Sequence, residues 1–131
     1  MVAESGPAPT GRTVLAVDDE PDLLEAIRRV LGRRGHTVLA ASSAAEALQV
    51  CRAHDGRIDL LLTDLRMPGG SGAELATQVA RERPDLTVLF MSGLADSGTP
   101  AVPDAPVVAK PFTPRSLAEA VDRALSAAAE P

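Results

Sequence analysis

The sequence alternates regularly between short apolar runs and longer amphipathic stretches, and this alternation constrains the fold more than any other feature. Each run ends at a polar residue, and its composition is typical of β-strands that are covered on both faces. The runs are Thr13–Val17, Thr37–Ala41, Ile58–Thr63, Thr87–Met91 and Val107–Ala109. Because strands joined by helical crossovers run parallel, the pattern predicts an α/β fold, (βα)5, with a five-stranded parallel sheet and helices on both faces.

Helix signals follow the predicted strands. The helices are expected to begin at Pro21, at Ser42 or Ser43, at Ser71 and at Thr113-Pro114. Proline is favoured in the first turn of a helix, and serine caps a helix through its hydroxyl. The segment from Ser92 to Pro106 differs, because three prolines and two glycines disfavour a regular helix there. The fourth helix is therefore predicted to be short or irregular. The fold as a whole is predicted to be doubly wound, with the flavodoxin-like strand order 2-1-3-4-5.

Length and composition fit a single domain. The chain has 131 residues, of which 45% are hydrophobic, enough for one ordinary core. Residues 1–12 lack periodicity and contain two prolines and two glycines. They are expected to form a flexible N-terminal leader before a folded domain at 13–127 and a C-terminal tail at 128–131. The single cysteine, Cys51, has no partner for a disulfide or a metal site and is interpreted as a core residue.

Charge and hydropathy argue against two classes of partner. The formal net charge is −5 and the basic residues form no stripe, so direct binding to nucleic acid is not expected. The apolar runs are shorter than the roughly 18 residues that span a bilayer, which argues against membrane insertion. The first residues, Met1–Ser5, lack the basic start and apolar middle of a signal peptide, so a cytoplasmic location is predicted.

Chemically active side chains come directly after four of the predicted strands. Asp18 and Asp19 follow the first strand, Asp64 the third, Ser92 the fourth and Lys110 the fifth. The carboxyl ends of parallel strands meet at one edge of the sheet, where ligands bind in doubly wound folds. Three carboxylates held close together repel unless a cation neutralises them, and oxygen ligands favour a hard ion such as Mg²⁺. Lys110, the only lysine, suits a phosphate oxygen or a carboxylate as its partner.

Each of these residues also has an ordinary structural interpretation when it is taken alone. An Asp at a strand end is commonly a turn former or a helix cap, and a serine hydroxyl often serves a turn. A lysine is most often a solvated surface charge. Their occurrence at four strand ends of one predicted sheet favours a shared acidic site.

Four motifs resemble those of bacterial response-regulator receiver domains, which act in two-component signalling. They are Val17-Asp18-Asp19-Glu20-Pro21, Leu62-Thr63-Asp64-Leu65-Arg66-Met67-Pro68, Phe90-Met91-Ser92-Gly93 and Ala109-Lys110-Pro111-Phe112. The resemblance covers roughly residues 13–127, and the motifs are specific as a set. Between Ser92 and Lys110 the pattern is most similar to receivers attached to hybrid histidine kinases.

The resemblance implies a role for each residue of the acidic site. Asp64 would be the phosphoacceptor, Ser92 would bind a phosphoryl oxygen after the switch, and Lys110 would pair with the phosphate. The Mg²⁺ ligands would be Asp64, Asp19 directly, Asp18 mainly through water, and the backbone carbonyl of Arg66. The Lys110–Pro111 peptide bond would be cis.

The resemblance also implies a reaction and its partners. A carboxylate is a weak nucleophile toward phosphorus, so transfer from the phosphohistidine of a histidine kinase or a histidine phosphotransfer domain requires Mg²⁺ and Lys110 to take up charge. The chain would be both substrate and catalyst, with autodephosphorylation, rather than a conventional turnover enzyme. It could also be part of a larger hybrid kinase.

The chain departs from the family at Val107, and two other classes of protein are alternative interpretations. Val107 stands where the family usually has an aromatic residue, so a rotating aromatic side chain cannot report activation. A pseudo-receiver, a non-catalytic interaction module, is expected to have lost an acid or the lysine, and all are present. A phosphatase of the haloacid-dehalogenase type needs a second Asp two residues after the first, where this chain has Arg66.

Overall fold

The main sheet consists of five parallel strands. The computed structural model describes residues 11–67, 70–93 and 106–129. The sheet strands are β1 (Thr13–Val17), β2 (Thr37–Ala41), β3 (Leu60–Asp64), β6 (Thr87–Ser92) and β7 (Val107–Ala109). They lie side by side in the order β2-β1-β3-β6-β7, and every neighbouring pair is parallel. Counting only these strands, the order is 2-1-3-4-5, so the predicted flavodoxin-like topology is confirmed.

Helices connect the strands and cover both faces of the sheet. In the described part of the chain they are α1 (Pro21–Gly32), α2 (Ala44–Ala53), α3 (Gly72–Glu82) and α4 (Pro114–Ala129). Ser43, rather than Ser42, caps α2 by accepting the N–H of Glu46 at its hydroxyl. Ser71 caps α3 in the same way, as predicted. A short or irregular helix is expected between Ser92 and Pro106, and residues 94–105 of this segment lie outside the described residues.

Alternate residues of the central strand β3 point to opposite faces and form two apolar layers. Leu60 and Leu62 pack in one layer, which includes residues of α1 and α4. Leu61 packs in the other layer with residues of α2 and α3. Cys51 is buried in this second layer, as predicted. Because β3 is buried along its whole length, the acid at its carboxyl end has a rigid support.

Some element boundaries differ from the prediction. The third sheet strand begins at Leu60, two residues later than expected. Asp59, the residue before it, uses its carboxylate to accept the N–H of Thr13 at 2.9 Å. Beyond β3, two short strands, β4 (Arg66–Met67) and β5 (Gly70–Ser71), pair antiparallel. Two residues are too few for a periodic pattern, so these strands were not predicted.

The predicted domain ends lie at the margins of the described residues. Most of the expected leader at 1–12 falls outside them, and α4 continues to Ala129, into the expected tail at 128–131. No helix within the described ranges has the length and apolar character needed to cross a membrane.

Candidate functional site

The carboxyl ends of β1, β3, β6 and β7 meet at one edge of the sheet. The registers place Val17 opposite Thr63 and Asp64 opposite Met91. The main-chain pairing of β6 with β7 continues one residue beyond β7, where the N–H of Lys110 donates to the carbonyl of Ser92 at 2.8 Å. The backbone therefore fixes the positions from which the predicted site residues project.

Three carboxylates lie together at this edge. Asp18, Asp19 and Asp64 each offer one oxygen, and these oxygens all lie within 4.8 Å of one another. Asp18 and Asp64 are buried, whereas Asp19 is exposed. Within the described ranges, no other group of three or more His, Cys, Asp or Glu side chains is arranged in this way. A donor set made only of oxygens suits a hard divalent cation.

Lys110 connects the two buried carboxylates. Its ammonium donates to Oδ2 of Asp18 at 2.9 Å and to Oδ2 of Asp64 at 3.0 Å. Burial acts to lower the pKa of Lys110, but hydrogen bonds and charge from both carboxylates together outweigh burial and raise that pKa above its ordinary value. Lys110 is therefore a permanent positive charge at neutral pH, held between two of the three acids.

Contacts with neighbouring backbone hold Asp64 in place. Its Oδ1 accepts the N–H of Arg66 at 3.3 Å, and its carbonyl accepts the hydroxyl of buried Thr63 at 3.1 Å. The next carbonyl, that of Leu65, accepts the N–H of Gly72 at 2.9 Å. The residue directly after Asp64 is thereby hydrogen-bonded to Gly72, the first residue of α3.

Gly72 lies directly against Asp64, and the sequence analysis did not identify it as a site residue. A Cβ built on Gly72 would be 2.1 Å from the carbonyl oxygen of Asp64, closer than non-bonded atoms approach. The sequence does carry a signal for this contact. Glycine disfavours a helix interior, yet here it directly follows the predicted cap residue Ser71.

The other predicted site residues make different contacts. The Ser92 hydroxyl donates to the carbonyl of Gly93 at 3.4 Å. Arg66 contributes its N–H to Asp64, and the metal-ligand role of its carbonyl stays a prediction. The Lys110–Pro111 bond is cis, as the resemblance implied. Val107, which replaces the family's aromatic residue, is 52% exposed.

Comparison with known proteins gives matches over most of the chain. A family model described as the response regulator receiver domain matches residues 14–122. The response regulator receiver protein CpdR of Brucella abortus (strain 2308) is 32% identical over 123 residues, covering 89% of this chain and 99% of CpdR. Sensor kinase CckA of the same organism is 33% identical over 117 residues, covering 86% of this chain but only 12% of the kinase.

Solved structures share the fold. A response regulator receiver domain protein from Clostridium thermocellum superimposes with a TM-score of 0.79 at 28% identity, covering 88% of this chain and 95% of that one. Response regulator protein TrrA from Thermotoga maritima, solved in complex with Mg²⁺ and BeF, gives a TM-score of 0.75 at 28% identity. That comparison covers 87% of this chain and 99% of TrrA.

Proposed function

The chain belongs to the family of response regulator receiver domains of two-component signalling, and we propose that Asp64 is its phosphoacceptor. The observation that carries this proposal is the double hydrogen bond from Lys110 to Asp18 and Asp64, with Asp19 beside them. At one edge of the sheet this arrangement combines a nucleophilic carboxylate, a fixed positive charge and further acids for a cation.

The proposed cofactor is Mg²⁺. Asp18, Asp19, Asp64 and the backbone carbonyl of Arg66 would hold it, and the oxygen atoms of the three acids suit that ion. The bound ion would supply neutralisation of negative charge at the acids and at the phosphoryl oxygens. The Asp18 side chain is fully buried and accepts hydrogen bonds from the N–H of Glu20 and from the Lys110 ammonium, whereas Asp19 is exposed and 11% of the Asp64 side chain is exposed. This difference supports direct contact by Asp19 and contact through water by Asp18.

The phosphoryl transfer would form a bond between a carboxylate oxygen of Asp64 and phosphorus. The bond from phosphorus to the donor imidazole nitrogen breaks, and its electron pair stays on that nitrogen. Lys110 already contacts Asp64 and would stabilise the added negative charge of the acyl phosphate. Ser92 would bind a phosphoryl oxygen once its hydroxyl turns away from the carbonyl of Gly93.

A histidine kinase or a histidine phosphotransfer domain is the proposed donor. A mainly apolar groove lies beside Lys110 and is lined by Glu20, Leu23, Pro111 and Phe112. Such a groove suits the apolar side of a partner helix, and its position would bring that helix close to the acids. The groove therefore supports a protein donor in addition to small phosphodonors.

Incubation with acetyl phosphate tests the proposed function. We expect one phosphoryl group per chain, measured by intact mass, only when Mg²⁺ is present, because the carboxylates must be neutralised before a phosphoryl dianion can approach. Excess chelator should abolish the labelling. Labelling that persists in chelator would rule out the role of Mg²⁺, whereas no labelling under either condition would favour a non-catalytic pseudo-receiver.

A further inference from the structure

His36 lies just before β2, at the edge of the sheet opposite Asp64, and is only 6% exposed. Its Nδ1 accepts the N–H of Arg12 at 3.2 Å, and the carbonyl of Arg12 accepts the N–H of Thr37 at 2.8 Å. A backbone N–H can only donate, so Nδ1 carries no proton and the neutral ring is protonated at Nε2. The neutral ring thus helps to hold the start of β1 against the start of β2.

The second ring nitrogen of His36 is unusual. Among the described residues, Nε2 of His36 is the one buried side-chain nitrogen or oxygen atom that has no hydrogen-bond partner. Buried polar atoms without partners are rare in folded proteins and require a physical reason. With one nitrogen unpartnered, the ring depends on the Arg12 hydrogen bond for its polar contact.

Charged groups from several segments face the ring. Asp122 of α4 and Asp59, which precedes β3, attract a charged imidazole, whereas Arg34 and Arg12 repel it. The opposing charges partly cancel, and burial is the largest influence. The pKa of His36 is therefore lowered from its ordinary value of 6.5.

We propose that His36 is a pH-sensitive switch that holds Arg12 against β2 when the ring is neutral and releases it when the ring is protonated. A proton on Nδ1 converts the acceptor of the Arg12 N–H into a donor that faces it, so this hydrogen bond is lost. Burial also disfavours the charged ring, and the attraction of Asp122 and Asp59 is offset by the repulsion from Arg34 and Arg12. The start of β1 then opens at a site remote from Asp64.

The direction of the pH dependence follows from proton linkage. In the open form His36 is solvated and titrates near 6.5, whereas in the closed form its pKa is lower. The open form therefore binds more protons at acidic pH. The closed form has its full stability above about pH 6.5 and loses stability as the pH falls through the lower pKa of the closed form.

NMR titration of the wild-type chain tests the switch. We expect the His36 ring and the amides of Arg12 and Thr37 to change with the same midpoint, below pH 6.5. The hydrogen-exchange rate of the Thr37 amide is first corrected for its intrinsic pH dependence. As the pH falls from 6.5 to that midpoint, the corrected rate should rise by up to about tenfold for each pH unit. A ring that titrates without a response from either amide, or that stays neutral until the whole domain unfolds, would overturn the proposal.

Two asparagine variants identify the responsible ring. His36→Asn keeps a side-chain acceptor for the Arg12 N–H but cannot titrate, so the amide transition should disappear. His54→Asn removes the only other histidine and should leave the transition unchanged. A transition that survives in His36→Asn, or that is lost in His54→Asn, would show that His36 is not the switch.

Discussion

Replacing Lys110 with alanine is expected to slow phosphoryl transfer from acetyl phosphate by about 10²–10³-fold, the typical loss when one preorganised charge-stabilising donor is removed. Mg²⁺ affinity should stay the same or increase, because the ammonium now competes for the oxygens of Asp18 and Asp64. Intact mass over time gives the transfer rate, and calorimetric titration gives the Mg²⁺ affinity. The two effects should therefore separate.

Arg115→Ala is the matched control for this variant. It also removes one positive charge, but from a side chain that is 88% exposed and pairs with Glu119 within α4. Both the transfer rate and the Mg²⁺ affinity should stay close to those of the wild type. A Lys110→Ala protein that loses Mg²⁺ affinity yet keeps a normal transfer rate would refute the role given to Lys110.

Replacing Gly72 with alanine is expected to destabilise the fold by about 1–3 kcal/mol, the usual cost of overpacking. Alanine favours a helix over glycine by about 1 kcal/mol, but here the steric cost should prevail. The new Cβ would lie 2.1 Å from the carbonyl oxygen of Asp64, and a backbone atom cannot rotate aside as a side chain can. Urea denaturation measures the free energy of unfolding. Because the same clash displaces Asp64, Mg²⁺ affinity should also fall.

Gly32→Ala serves as the control for the Gly72 variant. Gly32 is the last residue of α1, and nothing lies within 4 Å of a Cβ built on it. This substitution should be neutral or should stabilise the protein by up to about 1 kcal/mol, with unchanged Mg²⁺ affinity. If Gly72→Ala matched the wild type in both stability and Mg²⁺ affinity, its contact with Asp64 would not be what positions that acid.

Sequence patterns predicted the strands because each strand has a local signature, and they predicted the site cluster because the site residues directly follow those strands. The apolar run that ends at Asp64 is a buried strand, and the neighbouring strands have the predicted order. Once that order is known, residues that directly follow strands must share one edge of the sheet. Predicting that Asp18, Asp19, Asp64 and Lys110 lie together therefore required only the positions of the strands and their order in the sheet.

Contacts without a periodic signature could not be predicted in this way. Arg83 donates from its guanidinium to the carbonyls of Cys51, His54 and Gly56, about 30 positions earlier in the chain. The bond from Arg12 to His36 likewise joins residues 24 positions apart. Such pairs depend on how loops approach one another, and the residue types alone would equally suit solvent-exposed positions.

The location of the phosphoryl group after labelling with acetyl phosphate and Mg²⁺ tests the assignment of Asp64 most directly. Peptide mapping should find the group on the peptide that contains Asp64, and Asp64→Asn should remain unlabelled. Asp22→Asn, which changes an exposed acid in the first turn of α1, should be labelled like the wild type. A phosphoryl group on another residue, or an Asp64→Asn protein labelled as readily as the wild type, would contradict Asp64 as the phosphoacceptor.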